Sequence, residues 1–325
     1  MHAAGIDSQA WRQHAWVNRL QSLVLLVLMG VFLALLGWLL WGVEGIVLLL
    51  VTGLIGIVLN PGVSPRWVMR IYGASQIGPG QAPEILALAS ELAARAGLPT
   101  PPALYYVPSR MLNAFAVGSR NNSAIAITDG LLRQLRIREL AGVLAHEVSH
   151  IRSNDLWVMG LADIFSRATS LLSLLGQLLL IVNLPLLLFS AVTINWFAIV
   201  LLIFAPTLSA MAQLALARTR EYDADLNAVR LTADPDGLAS ALAKIEAAQD
   251  GWLERIFLPG RRIPDPSLLR THPETRQRIA RLTALKSEFT DDGQAGGLRS
   301  AADVHSGFGQ PVSHPPRWHV SGLWH

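Results

Sequence analysis

Fifty consecutive residues, Ala168 to Ala217, contain no Lys, Arg, Asp or Glu, and this block constrains the fold more than any other part of the chain. In a water-soluble protein it would need a large amount of amphipathic chain to cover it. In a bilayer it needs only to be helical, because a helix satisfies its own backbone hydrogen-bonding groups. Two spans of about 20 residues each and a tight turn account for its length. Asn183-Leu184-Pro185 and Thr193-Ile194-Asn195-Trp196 are both candidate turns. A second apolar run, Leu20 to Trp41, is followed by a short connection at Gly42 to Glu44 and by a further run ending near Leu59, where Asn60-Pro61-Gly62 stops it. A cleaved signal peptide has a shorter apolar core and a small-residue cleavage site, so this pair reads as a transmembrane hairpin. Only 15% of the 325 residues are charged, against about a quarter in a soluble protein. The remaining polar chain is too short to bury both hairpins.

The arginines orient the hairpins. Arg12 and Arg19 precede the first span and Arg66 and Arg70 follow the second; Arg152 and Arg167 precede the third and Arg218 and Arg220 follow the fourth. Neither connecting turn contains Lys or Arg. Positive flanks stay on the cytoplasmic side, which places both termini and the polar regions in the cytoplasm. Five regions follow: residues 1–62, an N-terminal segment with the first hairpin; 63–167, a globular first half; 168–217, the second hairpin; 218–287, a globular second half; and 288–325, a Gly-, Ser- and Pro-rich tail. The predicted fold is a mostly α membrane protein, with four transmembrane helices in two hairpins and a cytoplasmic α+β domain carrying a small antiparallel sheet.

In the first globular half, Pro83 to Gly97 has the apolar spacing of an amphipathic helix. Three strand candidates follow: Leu104–Val107, Ala114–Val117 and Ala124–Ile127. Gly118 to Asn122 is turn-like, which makes the last two an antiparallel pair. A short helix capped by Thr128 or Asp129 precedes a longer one from about Ile137 through His150. In the second half, Arg220 to Ala233, Pro235 to Gln249 and Pro273 to Lys286 read as helices, with a loop over Gly251 to Asp265.

The Ile137–His150 helix carries His146-Glu147-x-x-His150. Residues four apart stand on one helix face, so both imidazoles can reach one ion, while Glu147 projects at the edge of that face toward a water bound there. A catalytic zinc takes three protein ligands and leaves one position open. There are no cysteines, so the third ligand must be His, Asp or Glu. "REYDAD" at 220–225 offers Glu221 and Asp225, again four apart. Two carboxylates so placed repel on an isolated helix. Their pairing makes sense if Glu221 ligates the ion and Asp225 holds the second N–H of a ligand histidine. A membrane hairpin between His150 and Glu221 returns both helices to one membrane surface.

These stretches, with "NAFAVG" from Asn113 and "THPETRQRI" from Thr271, resemble the HtpX-type integral-membrane zinc metallopeptidases, gluzincins related to the CaaX prenyl proteases. The resemblance spans about residues 15 to 286. It implies one Zn2+ per chain on His146, His150 and Glu221, with Glu147 as catalytic base and acid. The family's usual His-Pro-Pro is His272-Pro273-Glu274 here. His272 is the expected oxyanion-stabilising donor, with Arg278 ordering its surroundings. It is preferred over His314 of "SHPP" because an apolar helix stripe at Ile279, Leu282 and Leu285 anchors it. Asn113, Ala114 and Phe115 are expected to take extended substrate by strand addition.

The resulting expectation is a zinc metalloendopeptidase in the bilayer that cuts cytosolic segments of membrane proteins, a quality-control role implied by the resemblance alone. A CaaX-type prenyl-protein protease and a catalytically inactive membrane scaffold are the competing readings. The complete His146, Glu147, His150 and Glu221 set argues against the scaffold. A net charge of +3 with no interleaved basic and aromatic patch gives no nucleic-acid signal.

Overall fold

The computed structural model describes residues 8–58, 64–185, 196–253 and 275–291. Among them, three helices are long and apolar enough to cross a membrane, over Leu20–Val51, Asp155–Val182 and Trp196–Thr232. The first belongs to α1, Ser8–Val58, which is not a single rod: Trp41 and Gly42 leave helical dihedrals, Gly42 at φ 65° and ψ −145°. A Cβ built on Gly45 would lie 2.1 Å from the Gly37 carbonyl oxygen. Residues eight apart in an unbroken helix would be separated by about 12 Å, so the chain turns back at Gly42. Glycine supplies the dihedrals of the turn, and Gly37 and Gly45 let the two arms touch. The expected stop at Asn60-Pro61-Gly62 lies outside the described residues.

The second apolar block forms α6, Asp155–Val182, and the start of α7, Trp196–Thr232. Of the two candidate turns, Asn183 caps the end of α6 and Trp196 opens α7; residues 186–195 between them lie outside the described residues. Helices α1, α6 and α7 pack through two apolar clusters, one around Met29, Met159 and Leu216 and one around Leu33, Leu36, Leu172 and Ala205. Ser173 Oγ donates to the Leu202 carbonyl oxygen at 2.6 Å, tying α6 to α7. Their outer faces expose Val24, Val27, Val31, Leu171, Leu174, Leu178, Val200 and Phe204. An apolar exterior this continuous needs lipid against it.

Helix α7 differs from expectation. The span and the Arg220–Ala233 helix are one continuous element, because nothing between Ala217 and Glu221 breaks a helix. Its 37 residues extend about 55 Å, well beyond a hydrocarbon core of about 30 Å, so its last turns project from the membrane. Ala233, with φ 54°, ends it.

The polar unit is built from α2 (Pro65–Ile71), β1 (Ser75–Gln76), α3 (Pro83–Ala96), β2 (Ala103–Val107), β3 (Ala114–Ser119), β4 (Asn122–Thr128), α4 (Asp129–Gln134), α5 (Ile137–Ser153), α8 (Pro235–Leu253) and α9 (Thr275–Asp291). The sheet order is β1-β2-β4-β3. β3 and β4 form the expected antiparallel hairpin, with Ala114 opposite Ile127 and Gly118 opposite Ser123. The sheet as a whole is mixed rather than antiparallel, since β2 runs parallel to β4 with Ala103 beside Ala124. The reason lies in β4, where every residue from Ser123 to Thr128 is buried. A strand apolar on both faces belongs in the middle, which leaves β3 at the edge. Strand β1 has only two polar residues and no periodicity to read.

Helices α3, α5 and α8 cover one sheet face through Leu92, Ile125, Leu144, Val148 and Leu238. The other face holds Met69 of α2 against Tyr105, Val107 and Ala126. The start of α5 is fixed by Glu139. Its carboxylate accepts from the Arg136 backbone N–H at 2.8 Å, Lys244 Nζ at 2.7 Å and Ser240 Oγ at 2.6 Å, joining α5 to α8. Burial pushes this carboxyl up, but the donors from Lys244, Ser240 and Arg136 outweigh it and hold its pKa at about 2. The folded value is below the unfolded one, so the stabilisation is present above about pH 4.5 and is lost as pH falls toward 2. Glu139→Gln is expected to lower Tm at pH 7 and to shrink the loss of Tm between pH 5 and pH 3. Identical pH profiles for the two proteins would rule out this contribution.

Candidate active site

Helix α5 buries Leu140, Val143, Leu144, Val148 and Ile151 and presents His146, Glu147 and His150 to a cleft of about 330 Å³. The projecting end of α7 brings Glu221 to the same cleft. His146 Nε2 and His150 Nε2 lie 3.0 Å apart. Glu221 Oε2 is 3.4 Å from the first and Glu221 Oε1 is 3.6 Å from the second. Zinc–nitrogen bonds of 2.0–2.1 Å at tetrahedral angles place ligand atoms about 3.3 Å apart, which is the spacing observed.

The far side of each ring has its own carboxylate. His146 Nδ1 is 3.0 Å from Asp225 Oδ1, and His150 Nδ1 is 2.7 Å from Asp155 Oδ2. The His150 contact has hydrogen-bond geometry, whereas the His146 contact is an ion-pair approach off that geometry; with the protons on Nδ1, both Nε2 lone pairs face each other and a carboxylate. Only positive charge between them relieves that arrangement. The histidine pKa values point the same way. Burial pulls both rings toward neutrality, but Asp225 and Glu221 for His146, and Glu221 for His150, more than offset it and raise both. The donor set fits a zinc-like divalent cation, and His146, His150 and Glu221 are a possible metal site.

Arg278 of α9 completes the arrangement. It is buried and donates from Nε and Nη2 to the two Asp225 oxygens at 2.7 and 2.6 Å, with Nη1 3.1 Å from Glu221 Oε2. Burial works against its charge, yet Asp225 and Glu221 outweigh burial and raise its pKa. The Tyr222 hydroxyl lies 3.1 Å from Gln277 Oε1, and the Arg281 guanidinium sits 3.8 Å over the Tyr222 ring, so α9 is clasped to α7 beside the site.

Glu147 is half-buried and lines the cleft beside His146. Asn113, Ala114 and Phe115 also line the cleft, at β3, the end strand of the sheet among the described residues. The Asn113 backbone is held by Thr128, whose N–H and Oγ1 both donate to the Asn113 carbonyl oxygen. His272, the expected oxyanion donor, lies outside the described residues.

Three features escaped sequence reasoning. Asp155 is the first, because it is five residues from His150 and on no common helix face. Asn154 adopts a left-handed conformation, φ 57° and ψ 34°, between α5 and α6, and this single residue redirects Asp155 back to the ring. Arg220 is the second, ion-paired with Asp155 across the hairpin. The third is the remaining wall, supplied by Leu238, Leu242 and Ile245 of α8 and by Val68 and Tyr72 of α2. The available signals were Asn154, a residue type that tolerates the left-handed region, and an Arg and Asp flanking two apolar segments.

A cleft with an edge strand on one wall, two histidines and a glutamate on the other, and membrane helices leading from it defines a membrane metallopeptidase. The sequence pattern of peptidase family M48 matches residues 79–286. The chain belongs to that family and is of the HtpX type: it is 32% identical over 290 residues to the protease HtpX homolog of Desulfatibacillum aliphaticivorans, covering 83% of this chain and 91% of the relative. It is 35% identical over 250 residues to that of Acaryochloris marina, covering 70% and 80%. The crystal structure of S. mikatae Ste24p aligns with a TM-score of 0.43 at 20% identity, over 83% of this chain and 66% of the other.

Proposed function

We propose that this peptidase is a zinc-dependent, four-span enzyme of the bacterial inner membrane that cuts cytosolic segments of membrane proteins, in the service of membrane-protein quality control. The observation that carries the reading is the convergence of His146, His150 and Glu221 at ligand spacing in a cleft walled by an edge strand. The reversal at Gly42 supports two spans from the first apolar block. The arginine flanks support a cytoplasmic site and cytoplasmic termini.

His146, His150 and Glu221 would hold the metal. When bound, zinc supplies Lewis acidity and lowers the pKa of a water toward 7. Glu147 accepts the proton of the attacking water and later passes it to the leaving amine. Asp225 and Asp155 hold the two Nδ1–H groups, so that each ring keeps Nε2 directed inward. The free edge of β3 pairs with an extended substrate backbone from Asn113 to Phe115, and His272 donates to the carbonyl oxygen as it gains negative charge. The site is reached by unfolded or looped cytosolic chain, because an edge strand binds only extended polypeptide.

Membrane fractions from cells with the wild-type protein and with Glu147→Gln test this reading. New termini present only with the wild type are expected to map to cytosolic loops and tails of membrane proteins. Reporter fusions at residues 10, 130 and 290 should all register as cytoplasmic. Termini confined to periplasmic segments, or an external reporter at residue 130, would overturn the orientation and the substrate class together.

A further inference from the structure

Helix α2 separates two cavities. Val68 and Tyr72 line the active-site cleft, and the Tyr72 ring packs against Phe115 of β3 at 4.9 Å between centroids. The next stripe, Pro65 and Met69, is buried against the sheet. Arg66 and Arg70, one turn apart, face a separate cavity of about 240 Å³ whose other lining residues are Met69, Ala74, Gln76 and Tyr105. Among the described residues, no carboxylate lines it. Trp67 and Ile71 form the outermost stripe, 60% and 54% exposed.

The position of α2 points to the membrane surface. The cleft wall that holds Val68 and Tyr72 also holds Leu156 and Met159, in the first two turns of the apolar helix α6. Helix α2 therefore stands where α6 leaves the polar unit. Exposed Trp67 beside exposed Ile71 is the residue choice of a membrane interface, where an indole has one apolar and one wet side. Two arginines over an apolar floor, with Gln76 on the rim, suit a phosphate whose ester substituents are less polar than itself, and guanidinium pairs phosphate oxygens two at a time.

We propose that this cavity binds the phosphate of an anionic phospholipid headgroup, held by Arg66 and Arg70 and flanked by Trp67 and Ile71 in the interface. The lipid then fixes the helix whose opposite stripe lines the substrate cleft. Binding itself stands independently of the peptidase reading, since none of these groups belongs to the metal site.

The full-length protein, stripped of lipid in a neutral detergent, is titrated with phosphatidylglycerol, with phosphatidylcholine and with inorganic phosphate, and bound lipid is counted by native mass spectrometry. One phosphatidylglycerol per chain is expected to be retained, with phosphatidylcholine weaker by about tenfold or more, as electrostatic lipid recognition implies. Arg66→Gln with Arg70→Gln should abolish that retention. Arg218→Gln, which removes an exposed arginine after another span, should leave it unchanged. Unaltered melting temperature and metal content in the double variant establish that it is folded. Equal losses in the Arg218 variant would reduce the effect to diffuse surface charge and overturn the proposal. So would competition by inorganic phosphate as effective as that by the lipid, which would make the ligand a soluble anion.

Discussion

Glu147→Gln is expected to reduce kcat/KM for a peptide substrate by about 10²–10⁴-fold, the usual contribution of a positioned general base, with zinc content unchanged. Glu221→Ala is expected to lose most of the metal and, with it, the activity. The contrast follows from geometry. Glu221 oxygens are the third corner of the donor set, 3.4 and 3.6 Å from the two Nε2 atoms, whereas Glu147 lines the cleft outside that set. Glutamine keeps the size of Glu147 and removes its basicity. Removing Glu221 also takes away a carboxylate that faces Arg278 Nη1 at 3.1 Å and leaves two imidazoles to bind an ion that prefers three protein ligands. Metal analysis of the purified variants beside a peptide-cleavage assay checks both halves. Full metal occupancy in both, with both active, would show that the chemistry lies elsewhere.

The parts of this site legible in the sequence are those set by helical periodicity. His146 with His150, and Glu221 with Asp225, are pairs four apart, so each pair shares a face wherever its helix ends up. The residues that fell outside that logic are joined by non-helical geometry or by distance along the chain. Asp155 reaches His150 only because Asn154 leaves the right-handed region. Arg220 reaches Asp155 across 65 positions, through a hairpin whose packing no local rule specifies. The sheet shows the same division. The β3–β4 hairpin follows from its turn, whereas the parallel alignment of β2 with β4 is a tertiary choice made by burying both faces of β4. Helix α2 was missed because seven residues between two turn-rich segments carry too little periodicity.

The long apolar helices run directly into the candidate metal-site residues in this protein. α7 carries Glu221 without a break from the span, and only Asn154 separates the end of α5 from the start of α6. The packing of the second hairpin therefore bears directly on the ligand positions, and the Asp155–Arg220 pair is the junction.

Asp155→Ala tests that junction. The metal Kd is expected to rise by about 10–100-fold, the usual cost of removing the group that orients a ligand histidine. Asp155 is buried and does two things at once: Oδ2 holds His150 Nδ1 at 2.7 Å, and Oδ1 pairs with the buried Arg220 of α7. Alanine takes that carboxylate from the Arg220 guanidinium, and breaking a buried pair costs about 3–5 kcal/mol, so Tm should fall even with metal in excess. Asp155→Asn separates the two roles. Its amide oxygen still accepts from His150 Nδ1–H, while its charge is gone from beside Arg220. The asparagine variant is therefore expected to retain more metal affinity than alanine while losing a comparable amount of stability. Metal titrations and melting curves on the three proteins decide the matter. If alanine binds metal as the wild type does, His150 is oriented by its helix alone; if the asparagine and alanine variants weaken metal equally, the charge of Asp155 rather than its hydrogen bond sets the affinity.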